Sequence, residues 1–197
     1  MNPVPRTLYP LLISVFLIAC SIQQPATPPG NIAQQQQLLR ALTHWEVSGK
    51  VALRTTTRSD SASLQWLQQG NKSYLRLTGP AGWGHYQLTA DQEVKQVELG
   101  ERLEELASAE DLQILQQLDK LPVFDLPWWL RGLPAPWQPT ELQRDASGLP
   151  RRISQAPWFI YYESFQQVGG LTVPRSLRFV GPEISGKLLL KSWRVSE

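Results

Sequence analysis

A chain of 197 residues, 42% of them hydrophobic and 18% charged, can bury one sizeable core and is neither disordered nor strongly acidic. The formal net charge is +2, and without Arg6 near the N-terminus the remainder is closer still to neutral. Arg151-Arg152 is the one basic cluster and lies in mixed sequence, so the basic stripe that nucleic-acid binding needs to displace counterions is missing.

The first twenty residues read as a targeting segment. Arg6 supplies a positive start, and an apolar run follows from Leu8 to Ala19. That run is too short to span a bilayer stably, and Pro10 weakens it as a helix. It ends in Leu17-Ile18-Ala19-Cys20. This tetrapeptide has the form of a bacterial lipobox: a thiol to take up diacylglycerol, after a small residue that admits the peptidase. Cys20 is the single cysteine, so no internal disulfide can form. The expectation is cleavage after residue 19 and lipidation of Cys20. Ser21 stands where an Asp would mark inner-membrane retention in enteric-type bacteria, so the outer membrane is the expected location. Pro25, Pro28, Pro29 and Gly30 make residues 20–30 a semi-extended tether, and residues 31–197 form the folded domain.

Asn31 is a suitable N-cap, and Leu38, Leu39, Leu42 and Trp45 share a helical face, which predicts a helix over 31–44. From Trp45 the period changes to two. Trp45, Val47, Val51 and Leu53 alternate with polar or small residues, as do Leu64 and Trp66, Leu75 and Leu77, Tyr86 and Leu88, and then Val94, Val97 and Leu99. These are one-sided antiparallel strands with polar turns such as Gln69-Gly70-Asn71-Lys72. Ser108 to Asp111 resembles a capping sequence and precedes Leu112, Leu115, Leu118 and Leu121, a helix that Pro122 stops. A second short helix is expected over 124–131, with Gly132 as its cap. Strand patterns resume over 149–156, 158–165, 173–180 and 187–195. The expected fold is mainly β with inserted helices. A single antiparallel curved sheet, an unclosed barrel, is capped by helices that cover its apolar face. A packed core and a cavity are both compatible with that pattern.

Chemistry-bearing motifs are scarce. His44 and His85 are far apart in sequence, no nucleophile elbow has partners in usable order, and no Cys/His spacing fits a metal. The loop Gly79-Pro80-Ala81-Gly82-Trp83-Gly84 lacks the Lys of a phosphate loop. Glu101, Glu104, Glu105, Glu110 and Asp111 read as a solvated face. Neither an enzyme nor a cofactor is expected. Eight Trp residues fit core packing for the most part, with some suited to surfaces that meet acyl chains or a partner.

Over essentially its full length the chain resembles the LolB family of outer-membrane lipoprotein receptors. The resemblance rests on the lipobox at Cys20, on Trp66-Leu67-Gln68-Gln69, and on Tyr74-Leu75-Arg76-Leu77-Thr78-Gly79-Pro80-Ala81-Gly82. It continues through Leu121-Pro122 to Trp129-Leu130-Arg131-Gly132-Leu133-Pro134, and to the last strand around Trp193. It implies an unclosed barrel with an apolar cavity. It also implies a monomer on the periplasmic leaflet of the outer membrane that takes acylated lipoprotein cargo from the chaperone LolA and passes it into outer-membrane phospholipid without nucleotide. On that reading the acyl-chain cavity would be lined by Val47, Val51, Leu64, Trp66, Leu75, Leu77, Leu88, Leu115, Leu118, Trp129, Ile160, Leu177, Phe179 and Leu188. Which face each strand turns inward stays open at this point. The family carries an exposed apolar residue, commonly Leu, in a membrane-insertion loop. Here Ala81 stands at that place and Trp83 follows two residues on; Trp83 either takes over as the wedge or folds back onto the barrel. A lipoprotein that grips a protein partner with a packed sheet, and has no lipid cavity, is the alternative.

Overall fold

The computed structural model describes residues 31–79, 85–91, 94–99 and 120–196, and the side chains of all of these except 85, 86 and 94–99. Asn31 is extended, and its Oδ1 accepts a hydrogen bond from the backbone N–H of Gln34 at 3.0 Å, which starts helix α1, Ile32–Ala41. The helix stops three residues short of the expected end. Leu42 is already extended, and the chain enters strand β1, His44–Arg54, where His44 pairs with Gln69. Sheet pairing claims the residues that helical periodicity alone would have assigned to α1.

The other strands are β2, Ser59–Gln69; β3, Lys72–Thr78; β4, His85–Asp91; β5, Val94–Leu99; β6, Glu141–Arg144; β7, Pro150–Gln155; β8, Trp158–Val168; β9, Leu171–Val180; and β10, Ser185–Val195. They form one antiparallel sheet in the order β5-β4-β3-β2-β1-β10-β9-β8-β7-β6. The first and last strands among the described residues therefore meet in the middle, and β5 and β6 are the two edges of the described sheet. This is the expected unclosed curved sheet. The expected turn over 69–72 is present, with Gly70 at a positive φ of 58°. The second run of strands starts earlier than expected, with β6. Its Glu141, Gln143 and Arg144 are exposed and Leu142 is half-buried, so this edge strand carries no alternation to read.

Between Ser48 and Gly49 the β1–β10 ladder shifts register. A Cβ on Gly49 would lie 2.0 Å from the carbonyl oxygen of Leu189, so only glycine lets the two central strands approach there.

The core lies on one face of the sheet. One continuous row runs Trp193–Val47–Trp66–Leu75–Leu88 across five strands by direct pairing. Another runs Leu53–Gly186–Phe179–Ile160–Ile153–Leu142 across the other half. Leu39 of α1 and residues 121–135 cover this face; Leu121, Val123, Leu126, Trp129, Leu130 and Leu133 all join the same apolar cluster. The second helix, α2, is Leu126–Leu130, shorter than expected at both ends, with Pro127 in its first turn. Gly132 at φ 77° closes it as a Schellman cap, its N–H bonded to Trp129 O and that of Leu133 to Trp128 O. The helix expected between Ser108 and Leu121 lies outside the described residues up to position 119.

Candidate functional site

Twelve of the fourteen residues expected at the apolar site lie among the described ones, and all twelve are buried, Trp129 on α2 and the other eleven on the covered face of the sheet. Val47, Trp129, Ile160 and Leu177 have no exposed surface, and Val51, Leu64, Trp66, Leu75, Leu77, Leu88, Phe179 and Leu188 are nearly as buried. Alternation places the eleven strand residues there together: a one-residue slip in any strand would send its whole set to the other face. Leu115, Leu118, Cys20, Ala81 and Trp83 lie outside the described residues. Of the other tryptophans, Trp45 and Trp193 are buried, Trp128 and Trp158 half-buried, and Trp137 exposed.

Four polar side chains, Gln155, Tyr162, Gln68 and Arg131, organise this apolar face, and none was a candidate site residue in the sequence. Gln155 is wholly buried on β7. Its Oε1 accepts from Trp129 Nε1 at 2.8 Å and from the backbone N–H of Ala135 at 2.9 Å. Its Nε2 donates to the Ala135 carbonyl at 2.7 Å and to Thr140 Oγ1 at 2.9 Å. The amide is thereby fully used, with two bonds accepted and two donated. Tyr162 of β8 donates its hydroxyl to the Trp129 carbonyl at 2.9 Å, and burial pushes that phenol well above its ordinary value. Trp129 is thus anchored to two strands while its ring stays in apolar contact, tilted against Trp158 at 6.0 Å between centroids.

Gln68 does the equivalent at one end of β2. Its Oε1 accepts from Trp66 Nε1 at 3.1 Å and from Ser73 Oγ at 2.8 Å, and its Nε2 donates to Gly70 O at 2.9 Å. Beside it Trp45 stacks on Trp66, with centroids 6.5 Å apart and planes 9° from parallel, and meets Trp193 at 5.3 Å. The indole N–H groups of Trp45 and Trp193 are buried with no hydrogen-bond acceptor among the described residues.

Arg131 follows α2 and is buried. Its Nε donates to Pro127 O at 3.0 Å, and its Nη1 to the carbonyls of Leu39 and Leu42 at 2.8 Å each, which satisfies the C-terminal end of α1. The guanidinium lies 4.6 Å from the Trp128 ring centroid, and burial pulls its pKa down to about 10, so it remains a cation at neutral pH. Arg131 and Trp128 face an open cleft of about 770 Å³ at the end of the sheet, between the β2–β3 turn, the end of α1 and α2. Asp125, the residue before α2, accepts at its carboxylate from Nε1 of Trp137, which also lines the cleft, at 2.8 Å and from Gln138 Nε2 at 3.1 Å. Burial raises its pKa more than those two bonds lower it. Among the described residues no group of His, Cys, Asp and Glu could hold a metal ion.

The arrangement is therefore a broad apolar face with its polar groups tied internally, and one cationic cleft at its end. The family model described as outer membrane lipoprotein LolB matches residues 43–193. This chain belongs to the LolB family. The match begins at the entry to β1 and ends at Trp193 in β10, so it spans the sheet from one central strand round to the other. An outer-membrane lipoprotein LolB from Cellvibrio japonicus is 32% identical over 191 residues, covering 94% of each chain. One from Ectopseudomonas mendocina is 34% identical over 169 residues, covering 84% of this chain and 83% of its own. Among solved structures, a LolA superfamily protein from Nitrosomonas europaea aligns with 83% of this chain and 94% of its own at 12% identity, with a TM-score of 0.45.

Proposed function

We propose that this LolB-family chain receives mature lipoproteins from the periplasmic chaperone LolA, shields their acyl chains against the apolar face of its half-barrel, and releases them into the outer membrane. The observation that carries this reading is the continuous apolar face of a sheet whose edges, β5 and β6, do not pair with each other among the described residues. Each methylene hidden from water stabilises a bound acyl chain by roughly 0.8 kcal/mol. A sheet with two free edges can part its walls without breaking a ladder. The twelve buried residues from Val47 to Leu188 are the acyl-contacting set in this proposal. Leu115 and Leu118 would complete it from the cover.

Cys20 is the site of the protein's own lipid, and residues 20–30 the tether that holds a monomeric domain at the periplasmic leaflet. Family membership favours this reading over a lipoprotein that binds a protein partner without lipid. A transfer assay tests it. The mature receptor in liposomes is mixed with LolA carrying either a triacylated lipoprotein or the same polypeptide without acyl chains. The acylated form should pass to the receptor and on to the bilayer, and the bare form should stay behind. Equal uptake of both forms would overturn an acyl-chain receptor.

A further inference from the structure

The cleft beside Arg131 is chemically unlike the apolar face. A guanidinium has five N–H donors. Three of those of Arg131 go to Pro127, Leu39 and Leu42, which leaves the two on Nη2 without a hydrogen bond among the described residues. Arg131 is 5% exposed and still lines the cleft. Arg131 Nη2 is not among the buried polar atoms that lack a partner, so this pair of donors opens onto the cleft, where an acceptor can reach a cation already held in place by its other three bonds. Arg40, exposed at the end of α1, is the second cation of the lining, and the described lining contains no Asp or Glu. The walls beside these charges are Leu42, Phe124, Pro127 and Trp128. The volume of about 770 Å³ is that of a small-molecule site.

We propose that this cleft binds the phosphate head of an anionic phospholipid, with Nη2 of Arg131 and the side chain of Arg40 on the phosphate and the acyl portion against Trp128, Phe124 and Leu42. Arginine donors match phosphate oxygens and make charge-assisted bonds about twice as strong as neutral ones. A zwitterionic head brings an ammonium group as well, and the described lining holds no carboxylate to receive it. Free phosphate gains nothing from the aromatic and aliphatic wall. The site is separate from the acyl-cargo face, so it can exist whether or not the cargo reading holds. In a receptor it would register contact with the target bilayer by its headgroups.

The test uses the mature lipidated chain, released from nonionic detergent micelles for native mass spectrometry. The probes are dioctanoyl phosphatidylglycerol, dioctanoyl phosphatidylethanolamine and inorganic phosphate. The glycerol lipid should bind about tenfold more tightly than the ethanolamine lipid, the size expected of one charge-assisted contact. Arg40→Gln should cut that preference several-fold, and Arg131→Lys, which replaces the fork by a point charge, should abolish it. A thermal melt reports whether each variant folds. Arg40→Gln, on an exposed residue, keeps the test decisive if Arg131→Lys unfolds. Equal binding of the two lipids by the unaltered chain overturns the proposal. A preference that survives in every folded variant does so too, and so does displacement of the lipid by equimolar phosphate.

Discussion

Gln155 bonds the indole N–H of Trp129 at 2.8 Å across 26 residues of sequence, and so ties α2 to strand β7. The same side chain closes a pair of bonds on the backbone of Ala135, so one amide fixes both the helix and the segment that leaves it. The cover of the apolar face is held by this polar contact as well as by packing.

Gln155→Leu should therefore be strongly destabilising although it replaces a polar group by an apolar one of similar length. The buried Trp129 Nε1 and both backbone groups of Ala135 would be left without their partner. The expected loss is about 3 kcal/mol, the upper range for orphaned buried donors and acceptors. Gln65→Leu, on the exposed face of β2, should change stability by less than about 0.5 kcal/mol. Urea unfolding of the two variants measures the difference, and a Gln155→Leu protein as stable as Gln65→Leu would remove the clamp from this account.

Asp125 gives a pH dependence of the opposite sign to that of most carboxylates. Burial raises its folded-state pKa above the ordinary 3.8, so the folded protein holds this proton more tightly than the unfolded chain does. Its contribution to stability is then greatest below the unfolded value, and declines as pH rises through the window between the unfolded and the raised folded value. Asp125→Asn should remove this dependence. The Asn oxygen can keep the bond from Trp137, and an amide turn of Gln138 would let its buried Oε1, which has no partner among the described residues, accept from the new Asn. The variant should match or exceed the parent in stability at pH 7 and lose that margin near pH 4. Denaturation curves at the two pH values decide it. A variant less stable at pH 7 than the parent would mean that the ionised carboxylate is favourable where it stands.

Trp83 lies outside the described residues, and its two readings make different predictions. Glycines on both sides, Gly82 and Gly84, favour a tight protruding turn, and an indole at such a tip prefers the headgroup boundary of a bilayer. If it is the membrane wedge, Trp83→Glu should fold and accept cargo from LolA, yet deliver it poorly to liposomes. A Trp83 packed on the barrel would instead show as a lowered melting temperature and failed uptake. Normal stability with normal delivery would rule out both roles.

Much of the fold could be read from the chain alone, because a half-buried antiparallel strand writes its facing into its own alternation. Val47, Val51, Leu64, Trp66, Leu75 and Leu77 alternate with polar or small residues, and that local pattern put the apolar set of each strand on one face together, while the fold decided that this is the covered face. The turn at Gly70 and the cap at Gly132 were equally local, since each requires a positive φ that glycine adopts without strain. Other features depend on residues far away in sequence. Nothing in β1 names β10 as its neighbour, and only the sheet brings Gly49 against Leu189. Glu141–Arg144 looks like a loop until β7 supplies its pairing. The helical pattern of α1 runs on to residue 44, but the strand starting at His44 ends it at Ala41. Gln155 and Arg131 look like surface residues by type, because a polar side chain is stable inside only where the fold assembles acceptors and donors around it. Those partners, Trp129 and Ala135 for one and the end of α1 for the other, lie 20 to 92 residues away. Periodicity is a property of neighbours along the chain, whereas satisfaction of a buried polar group is a property of neighbours in space.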